Sequence, residues 1–287
     1  MRAEYGDTEV RICDTDELKC GRRERSRMFL AVDVGNTQTT LALYGTGGEH
    51  VHGWRLKTDR TDTADELLAK LHAFFAAAGL GATAIDAAGI SCVVPTLARA
   101  WRKVFLILTG QEPLIVSAKD VPDLEISMPY PETIGADRLC NAVAAKERYG
   151  SPAIVVDFGT ATNIDVVDKD GAFVGGAIAP GLMLSAAALF ERAAKLASIP
   201  IEAPEHALGK DTAGALQSGL VVGTAAMAEG LVERIKREIA APSAPVIATG
   251  GLARTVSEAT DLFCAIDPDL TLRGVYLIWH AAQERHS

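Results

Sequence analysis

Paired cysteines are absent from this sequence of 287 residues. None of its five cysteines forms a CxxC pair, and an odd number leaves one over from any set of disulfides. They are Cys13, Cys20, Cys92, Cys140 and Cys264. Because disulfides are rare in the cytosol and frequent in secreted proteins, this usage predicts reduced thiols and a cytoplasmic protein.

Two further absences concern nucleic acids and membranes. No long Lys/Arg tract follows residue 28 and the formal net charge is −9, so the basic surface of a nucleic-acid binder is not predicted. Residues 1–27 contain neither the apolar run of a signal peptide nor a membrane-spanning segment. We expect no nucleic-acid partner and no membrane anchor, and we interpret residues 1–27 as a disordered extension or an upstream mis-start.

The Walker motif GxxxxGK[ST] is also missing, which excludes a phosphate-binding loop of that type. The composition, with 48% hydrophobic and 23% charged residues, is typical of a globular protein with a packed core. Single cores stop growing near ~250 to 300 residues. The length therefore favours two domains.

A pattern of apolar strand, glycine turn and return strand occurs twice. The copies are MFLAVDVGNTQTTLALY at 28–44 and AIVVDFGTATNIDVVD at 153–168. Asp33 and Asp157 take the same place in the two copies, 124 residues apart. An internal repeat on the scale of a domain predicts a duplicated, two-lobed architecture.

Strands and helices alternate after each copy, which predicts an α/β fold with a cleft between two lobes. In the first half, the segment 54–79 is predicted to form a strand and then a helix, which has Leu67, Leu68, Leu71 and Phe74 at helical spacing. Short buried strands are predicted to follow at 87–95 and 112–117. In the second half, helices are predicted over 182–198, Thr212 to Ile239 and 271–283, with a strand within 244–253.

The turn of the first copy has residues suited to phosphate and magnesium. Glycine lets backbone N–H groups approach an anion closely. Asp33 could hold a hydrated Mg²⁺ between phosphates, and Asn36, Thr37 and Thr39 offer further donors. An ordinary hairpin turn uses the same residue types, so this copy alone leaves both interpretations open.

A third element is the strand that ends in Thr249-Gly250-Gly251, where a planar base could lie against bare backbone. Together with the two hairpins it resembles the phosphate and adenosine motifs of the superfamily of sugar kinases, actin and heat-shock chaperone ATPases. That resemblance implies ATP as a cofactor. It also implies two actin-like, ribonuclease H-like lobes, at 28–145 and 146–287, with a nucleotide cleft between them.

The segment Gly135-Ala136-Asp137-Arg138 is predicted to start a helix. A helix N-terminus keeps a carboxylate ionised, and such a group can accept a proton from a substrate hydroxyl. Arg138 could bind a substrate carboxylate through two hydrogen bonds. A helix cap with a solvent-exposed ion pair would give the same four residues, so the segment alone does not decide its role.

Seven segments occur in the order and spacing of type III pantothenate kinases, and the chain from Met28 to its C-terminus resembles that family. They are DVGNT at 33–37, ISCVVP at 90–95, PETIGADR at 131–138, DFGTATNID at 157–165, GGAIAPGL at 175–182, GKDTAGALQSGL at 209–220 and VIATGG at 246–251. The resemblance implies ATP-dependent phosphorylation of pantothenate, with Mg²⁺ and a monovalent cation, K⁺ or NH₄⁺, as cofactors.

The same resemblance implies particular site residues. Asp137 would be the proton acceptor, Asp157 would hold the monovalent cation, Thr160 would contact ATP and Thr212 would line the pantothenate pocket. The other ATP-binding residues would be Asp33, Val34, Gly35, Asn36, Thr37, Gln38, Thr39 and Thr40, and pantothenate would contact Gly135, Ala136, Asp137 and Arg138. Judged from sequence context alone, Asp157 is more typical of a turn cap and Thr212 of a helix start.

One position departs from the family, because some members have a tyrosine seven residues before the glycine of GADR where this chain has Met128. No aromatic substrate contact is therefore predicted. A kinase for an amino sugar and a regulatory ATP-binding protein without catalysis remain alternatives. Arg138 argues against a neutral sugar, and the presence of Asp33, Asp137 and Asp157 argues against a dead site.

A homodimer is the last expectation. Small residues run along 211–239 beside an apolar stripe, which would allow close packing of helices from two subunits. The stripe comprises Leu216, Leu220, Met227, Leu231, Ile235 and Ile239. The two lobes of one chain could bury the same surface, and it is the family resemblance that favours the dimer.

Overall fold

The computed structural model describes residues 28–45, 47–81, 85–121, 123–192 and 199–285. The interpretation of residues 1–27 and the end of the helix predicted over 182–198 lie outside these ranges.

The first lobe contains a five-stranded sheet with the strand order β3-β2-β1-β4-β5. β1 pairs antiparallel with β2 and parallel with β4. The elements are β1 (Met28–Val34), β2 (Gln38–Tyr44), β3 (His50–Lys57), α1 (Ala64–Ala77), β4 (Ile85–Cys92), α2 (Pro95–Thr109) and β5 (Leu114–Ile115).

Local sequence signals set the ends of the two helices in this lobe. At the start of α1, the Glu66 amide donates to Thr63 Oγ1 and Glu66 Oε2 accepts from the Thr63 amide, a capping box. α2 begins at Pro95, and Gly110 follows it with φ 71°. α1 buries Leu67, Leu71 and Phe75, and the predicted Leu68 and Phe74 are partly buried against the same core.

The second lobe repeats the arrangement, with the strand order β10-β9-β6-β7-β8. Counted along the chain, both sheets therefore have the order 3-2-1-4-5. This confirms the predicted two-lobed α/β fold. The strands are β6 (Ala153–Phe158), β7 (Ala161–Val167), β8 (Phe173–Pro180), β9 (Val246–Thr249) and β10 (Ala265–Ile266).

Two helices, α3 (Ala136–Tyr149) and α8 (Leu270–Glu284), lie between the sheets. One hydrophobic cluster joins Phe29 of β1 and Phe173 of β8 to Leu139 of α3 and Val275 of α8. α1 and α2 cover the outer face of the first sheet. The domain boundary predicted between residues 145 and 146 falls inside α3. The division of the chain into two domains at this point stays a prediction.

The outer face of the second sheet is covered mainly by α4 (Leu182–Arg192), α6 (Gly223–Glu238) and α7 (Ala253–Ser257). The helix predicted over Thr212 to Ile239 is present, but α5 (Thr212–Gln217) and α6 are joined by a π-helical segment, Ser218–Val222. A π turn rotates the residues after it about the helix axis. The buried face keeps Leu220 of the predicted stripe and adds Val221, Ala225, Ala228 and Val232. Leu231, Ile235 and Ile239 of the stripe are partly buried and pack against the same core.

In the described part of the chain, Thr212–Glu238 is the one helix long and apolar enough to cross a membrane. Its buried face packs on the core of the second lobe. A helix of a packed core passes the same length and hydropathy test, so the result is weak evidence for a membrane span.

Candidate active site between the two hairpins

Asp33 lies near the end of β1, beside Ser91 on the neighbouring parallel strand β4. The Ser91 hydroxyl donates a hydrogen bond of 2.8 Å to Asp33 Oδ1. Burial raises the pKa of Asp33 to about 7, the charge of Asp137 adds to this rise, and the bond from Ser91 opposes it. The carboxyl is thus held firmly in a place that disfavours an uncompensated negative charge.

The turn after Asp33 presents several of the predicted ATP-binding residues to solvent. Asn36, Thr37 and Gln38 are exposed, and Gly35 and Thr40 are partly exposed. Val34 and Thr39 have buried side chains, so any contact that they make with a ligand would use backbone atoms.

The second hairpin meets the first at its tip. The hydroxyl groups of Thr37 and Thr160 are 2.9 Å apart and hydrogen-bonded. Two loops separated by more than a hundred residues in the chain therefore form one continuous rim. Thr37 and Thr160, one predicted ATP contact from each lobe, lie on this rim.

Asp157 occupies the place in the second hairpin that Asp33 has in the first. Its Oδ2 accepts a hydrogen bond of 3.2 Å from Nδ2 of Asn141, a buried residue of α3. The Thr271 hydroxyl of α8 donates to Asn141 Oδ1 at 2.7 Å, which orients the amide so that its NH₂ group faces Asp157. Burial, followed by the charge of Asp137, raises the pKa of Asp157 to about 6.

Gly250, directly after β9, lies close to Asp157. β9 pairs with β6 in a register that places Thr249 opposite Asp157. Gly250 has φ 90°, and a Cβ atom there would clash with Asp157 Oδ1 and with the backbone of Phe158. Only glycine suits this position. The space beside Gly250 is thus filled by Asp157 and Phe158, and the planar base predicted to lie against this strand end stays a prediction.

The predicted helix start is confirmed, with Gly135 as the N-cap residue of α3 and Asp137 in its first turn. The Arg138 amide donates to Asp137 Oδ1 at 2.9 Å. Burial nevertheless raises the pKa of Asp137, and the backbone hydrogen bond and the charge of Arg138 offset this only in part. The expectation that the helix N-terminus alone would keep this carboxylate ionised was incomplete, because burial is the larger effect.

Arg138 does not form the solvent-exposed ion pair that the sequence left open as an alternative. Its Nε donates to Oδ1 of Asp165 at 2.6 Å, and the side chains are 13% and 1% exposed. Burial raises the pKa of Asp165 to about 7, against the opposing charge of Arg138. Sequence reasoning missed Asp165, although an aspartate inside a β-branched strand was an available signal, since aspartate is depleted in strands.

Four carboxylates thus share the space between the hairpins and the start of α3, where Arg138 is the basic residue. They are Asp33, Asp137, Asp157 and Asp165. The charge of Asp137 raises the pKa of the other three, and the charge of Asp157 raises the pKa of Asp33 and Asp165. The described residues contain no group of three or more side chains placed to hold a metal ion by themselves. One or two carboxylates together with substrate phosphates are how Mg²⁺ is usually held, and this site fits that pattern.

Thr212 is the predicted site residue that the structure does not bring to this cluster. It is exposed at the start of α5, next to Asp211, whose Oδ1 accepts from the Gly214 amide at 2.8 Å. No hydrogen bond joins Thr212 to the other predicted site residues among those that the structure describes. Its position is a helix start, as the sequence context alone suggested.

A family model described as type III pantothenate kinase matches residues 29–234. The chain belongs to the type III pantothenate kinase family. The type III pantothenate kinase of Deinococcus radiodurans is 44% identical over 262 residues, which is 89% of this chain and 97% of that relative. The one of Roseiflexus sp. (strain RS-1) is 42% identical over 252 residues, 88% of this chain and 98% of the relative.

Solved structures support the fold. A conserved putative Baf family transcriptional activator from Campylobacter jejuni aligns with a TM-score of 0.58 and 17% identity, over 89% of this chain and 99% of that one. The activator of 2-hydroxyisocaproyl-CoA dehydratase from Clostridium difficile, solved with bound ADPNP, aligns with a TM-score of 0.54 and 12% identity, over 90% and 97% of the two chains. At these identities the likeness concerns architecture alone.

Proposed function

We propose that this protein transfers the γ-phosphoryl group of ATP to the primary hydroxyl of pantothenate. The products are 4'-phosphopantothenate and ADP, and the reaction is the first step of coenzyme A biosynthesis in the cytoplasm. The observation that carries the proposal is the convergence of the two hairpins on Asp137 and Arg138 at the start of α3. A primary hydroxyl and a carboxylate are the two groups of pantothenate that these side chains suit.

Asp137 is the general base in this proposal. It accepts the proton of the pantothenate hydroxyl as that oxygen forms its bond to phosphorus and the bond from phosphorus to the ADP oxygen breaks. Burial raises the pKa of Asp137. A raised pKa strengthens a carboxylate as a proton acceptor and so supports this role.

The first hairpin, from Asp33 to Thr40, binds the ATP phosphates together with Thr160. The exposed turn offers backbone N–H groups and the hydroxyl of Thr37 on the rim shared with Thr160. Asp33 holds Mg²⁺, directly or through water. Bound there, Mg²⁺ would supply neutralisation of the phosphate charge.

Asp157 holds the monovalent cation, K⁺ or NH₄⁺. Its carboxylate receives a hydrogen bond from a neutral amide and has no ion-pair partner among the described residues. A bound cation would compensate that charge. Burial, followed by the charge of Asp137, raises the pKa of Asp157, and a cation bound beside the carboxylate would lower it.

Pantothenate is bound by Gly135, Ala136, Asp137 and Arg138, with Thr212 contributed across a homodimer interface. Within the described part of one chain, Thr212 has no hydrogen bond to the cluster. Large apolar side chains are exposed at Leu208, shortly before Thr212, and at Met183 and Leu184 of α4. A second subunit would cover such a surface. Light scattering should give a mass near twice the 30.3 kDa of one chain, whereas a fully active monomer would refute the dimer.

The direct test of the activity is ADP release with purified protein, Mg²⁺ and K⁺, in the presence and absence of pantothenate. Release that depends on pantothenate, with none for a panel of sugars and amino sugars, is the expected result. Release that depends on an amino sugar would identify a kinase of another substrate. ATP binding without turnover on any acceptor would favour the regulatory alternative.

A further inference from the structure

Asp165 is a buried charged residue to which the proposed chemistry assigns no role. It lies in the middle of β7, opposite Val155 of β6 and Gly176 of β8. Its side chain is 1% exposed, Oδ1 accepts from Arg138 Nε at 2.6 Å, and Oδ2 is buried without a partner. A carboxylate in such a place is costly to bury, so its presence calls for a function.

Stability is a poor explanation for this ion pair. Desolvation of two charges offsets their attraction, and apolar residues of similar volume usually serve a core as well or better. Here one carboxylate oxygen also remains without a hydrogen bond, which adds to the cost. We therefore look for the role of this ion pair in the orientation that it gives to Arg138.

The contacts of Arg138 fix its guanidinium and leave one edge of it free. Asp165 binds Nε, and the ring centroid of Phe173 lies 5.5 Å from Cζ, within the range of a cation–π contact. Among the described residues, neither terminal nitrogen has a hydrogen-bond partner. The N–H groups of a guanidinium form a planar fork, which can bind a carboxylate through two parallel hydrogen bonds.

We infer that Asp165 is a positioning residue, which holds Arg138 by Nε so that its two terminal nitrogens face the carboxylate of the substrate. The inference rests on the proposed role of Arg138 in binding pantothenate. Asp165 itself does not touch the substrate. It therefore determines how strongly the enzyme distinguishes pantothenate from an analogue without the negative charge.

The test compares two acceptors in wild type and in Asp165→Asn. One acceptor is pantothenate and the other is its alcohol analogue, in which CH₂OH replaces the carboxylate. Asparagine keeps the shape and an acceptor for Nε but removes the charge. We expect KM for pantothenate to rise about tenfold with little change in kcat, because the less firmly held Arg138 loses its charge-assisted hydrogen bond to the substrate carboxylate. For the alcohol, which has no carboxylate, we expect little change in either kcat or KM.

The ratio of kcat/KM for the two acceptors is the decisive value, because it does not depend on how much of a variant preparation is folded. A role in stability alone would lower both values equally and overturn the inference. So would a wild-type enzyme that uses both acceptors equally well. A wild type that phosphorylates neither acceptor would instead refute the proposed function, and the inference with it.

A double-mutant cycle supplies the second readout. If Asp165 acts through Arg138, then Arg138→Gln with Asp165→Asn should discriminate between the acceptors no worse than Arg138→Gln alone. Additive losses would contradict the inference.

Asp267→Asn is the matched control. Asp267 is also buried and is paired with an arginine, Arg148, at 2.8 Å. It lines a separate cavity of about 540 Å³ to which none of the predicted site residues contributes. Arg148 is 60% exposed, so the control matches the buried aspartate and its arginine contact. This variant should leave the ratio unchanged, and a changed ratio would show that loss of any buried aspartate paired with an arginine produces the effect.

Discussion

The two hairpins are copies of one structural unit that have been given different surroundings. Asp33 pairs across its hairpin with Thr40, and Asp157 pairs in the same register with Asn163. The second turn is one residue shorter, so that Thr37 and Thr160 are equivalent, and it is these two hydroxyls that meet. Duplication thus placed a pair of equivalent residues face to face at the rim of the cleft.

The carboxylates differ in what holds them. Asp33 is held by Ser91, which belongs to the same sheet. Asp157 is held by Asn141 of α3, and that amide is oriented by Thr271 of α8. The first carboxylate is therefore fixed within its own lobe, whereas the second depends on the helices packed between the lobes.

The supports behind the turns differ as well. Thr58 follows β3 and donates its hydroxyl proton to the Gly35 carbonyl, so the buried hydroxyl of Thr39 must be the donor in its 2.9 Å bond to Thr58. Gly181 follows β8 at the equivalent place, where a Cβ atom would clash with the carbonyl oxygens of Gly159 and Thr160. The hydroxyl of Thr162, the equivalent of Thr39, is buried without a partner.

The largest expected effects come from neutralising the two carboxylates in turn. Asp33→Asn should lower kcat/KM for ATP on the order of 10²-fold, because it removes a charge placed for phosphoryl transfer. Asp157→Asn should instead abolish the response to K⁺. Steady-state rates with K⁺ exchanged for Na⁺ at fixed Mg²⁺ would measure both.

The comparison would fail if the two variants responded alike. Wild type should be less active in Na⁺ than in K⁺. An Asp157→Asn enzyme that still distinguishes the two ions would contradict the assignment of the cation to Asp157, even if the kinase activity stands.

The next effect concerns the stability of Asp157→Asn, which we expect to rise although the substitution removes the response of the activity to K⁺. The pKa of Asp157 is about 6 against an ordinary 3.8, so its contribution to stability is present below pH 3.8 and is lost as pH rises through 6. Without K⁺ at pH 8, Asp157→Asn should therefore raise the free energy of unfolding on the order of 1 to 3 kcal/mol.

Urea denaturation at several pH values would measure this gain. The difference between variant and wild type should shrink as the pH falls toward 4. It should also shrink when K⁺ is added, because K⁺ binds the folded wild type and stabilises that state. A variant less stable than wild type at pH 8 would show that the ionised carboxyl is compensated by protein groups alone.

The smallest predicted effect contrasts two buried threonines. Thr39→Val should cost about 1 kcal/mol of unfolding free energy, since it removes a satisfied hydrogen bond. Thr162→Val should be neutral or stabilising, because its hydroxyl has no partner to lose. Equal costs for the two variants would contradict the assigned hydrogen bonding.

The repeated hairpins could be predicted from the sequence because strand, glycine turn and strand leave a pattern within a few residues. The start of α3 was predictable for the same reason. The contacts that orient the site were not: Ser91, Asn141, Asp165 and Thr271 come from distant segments, and their side chains meet only after the lobes pack. The π-helical segment at Ser218–Val222 has no sequence signature of its own, so the full burial of Val221 and Val232 beside the predicted stripe was not foreseen.

Both hairpins converge on Asp137, whose charge acts on Asp33 and on Asp157 alike. The account is tested most directly by the turnover of Asp137→Asn, measured beside its affinity for pantothenate. We expect the fold and most of the pantothenate affinity to be retained while kcat falls by ~10²-fold or more, the usual loss for a missing general base. Turnover close to that of wild type would contradict the assignment of Asp137 and leave the convergence of the hairpins without its catalytic role.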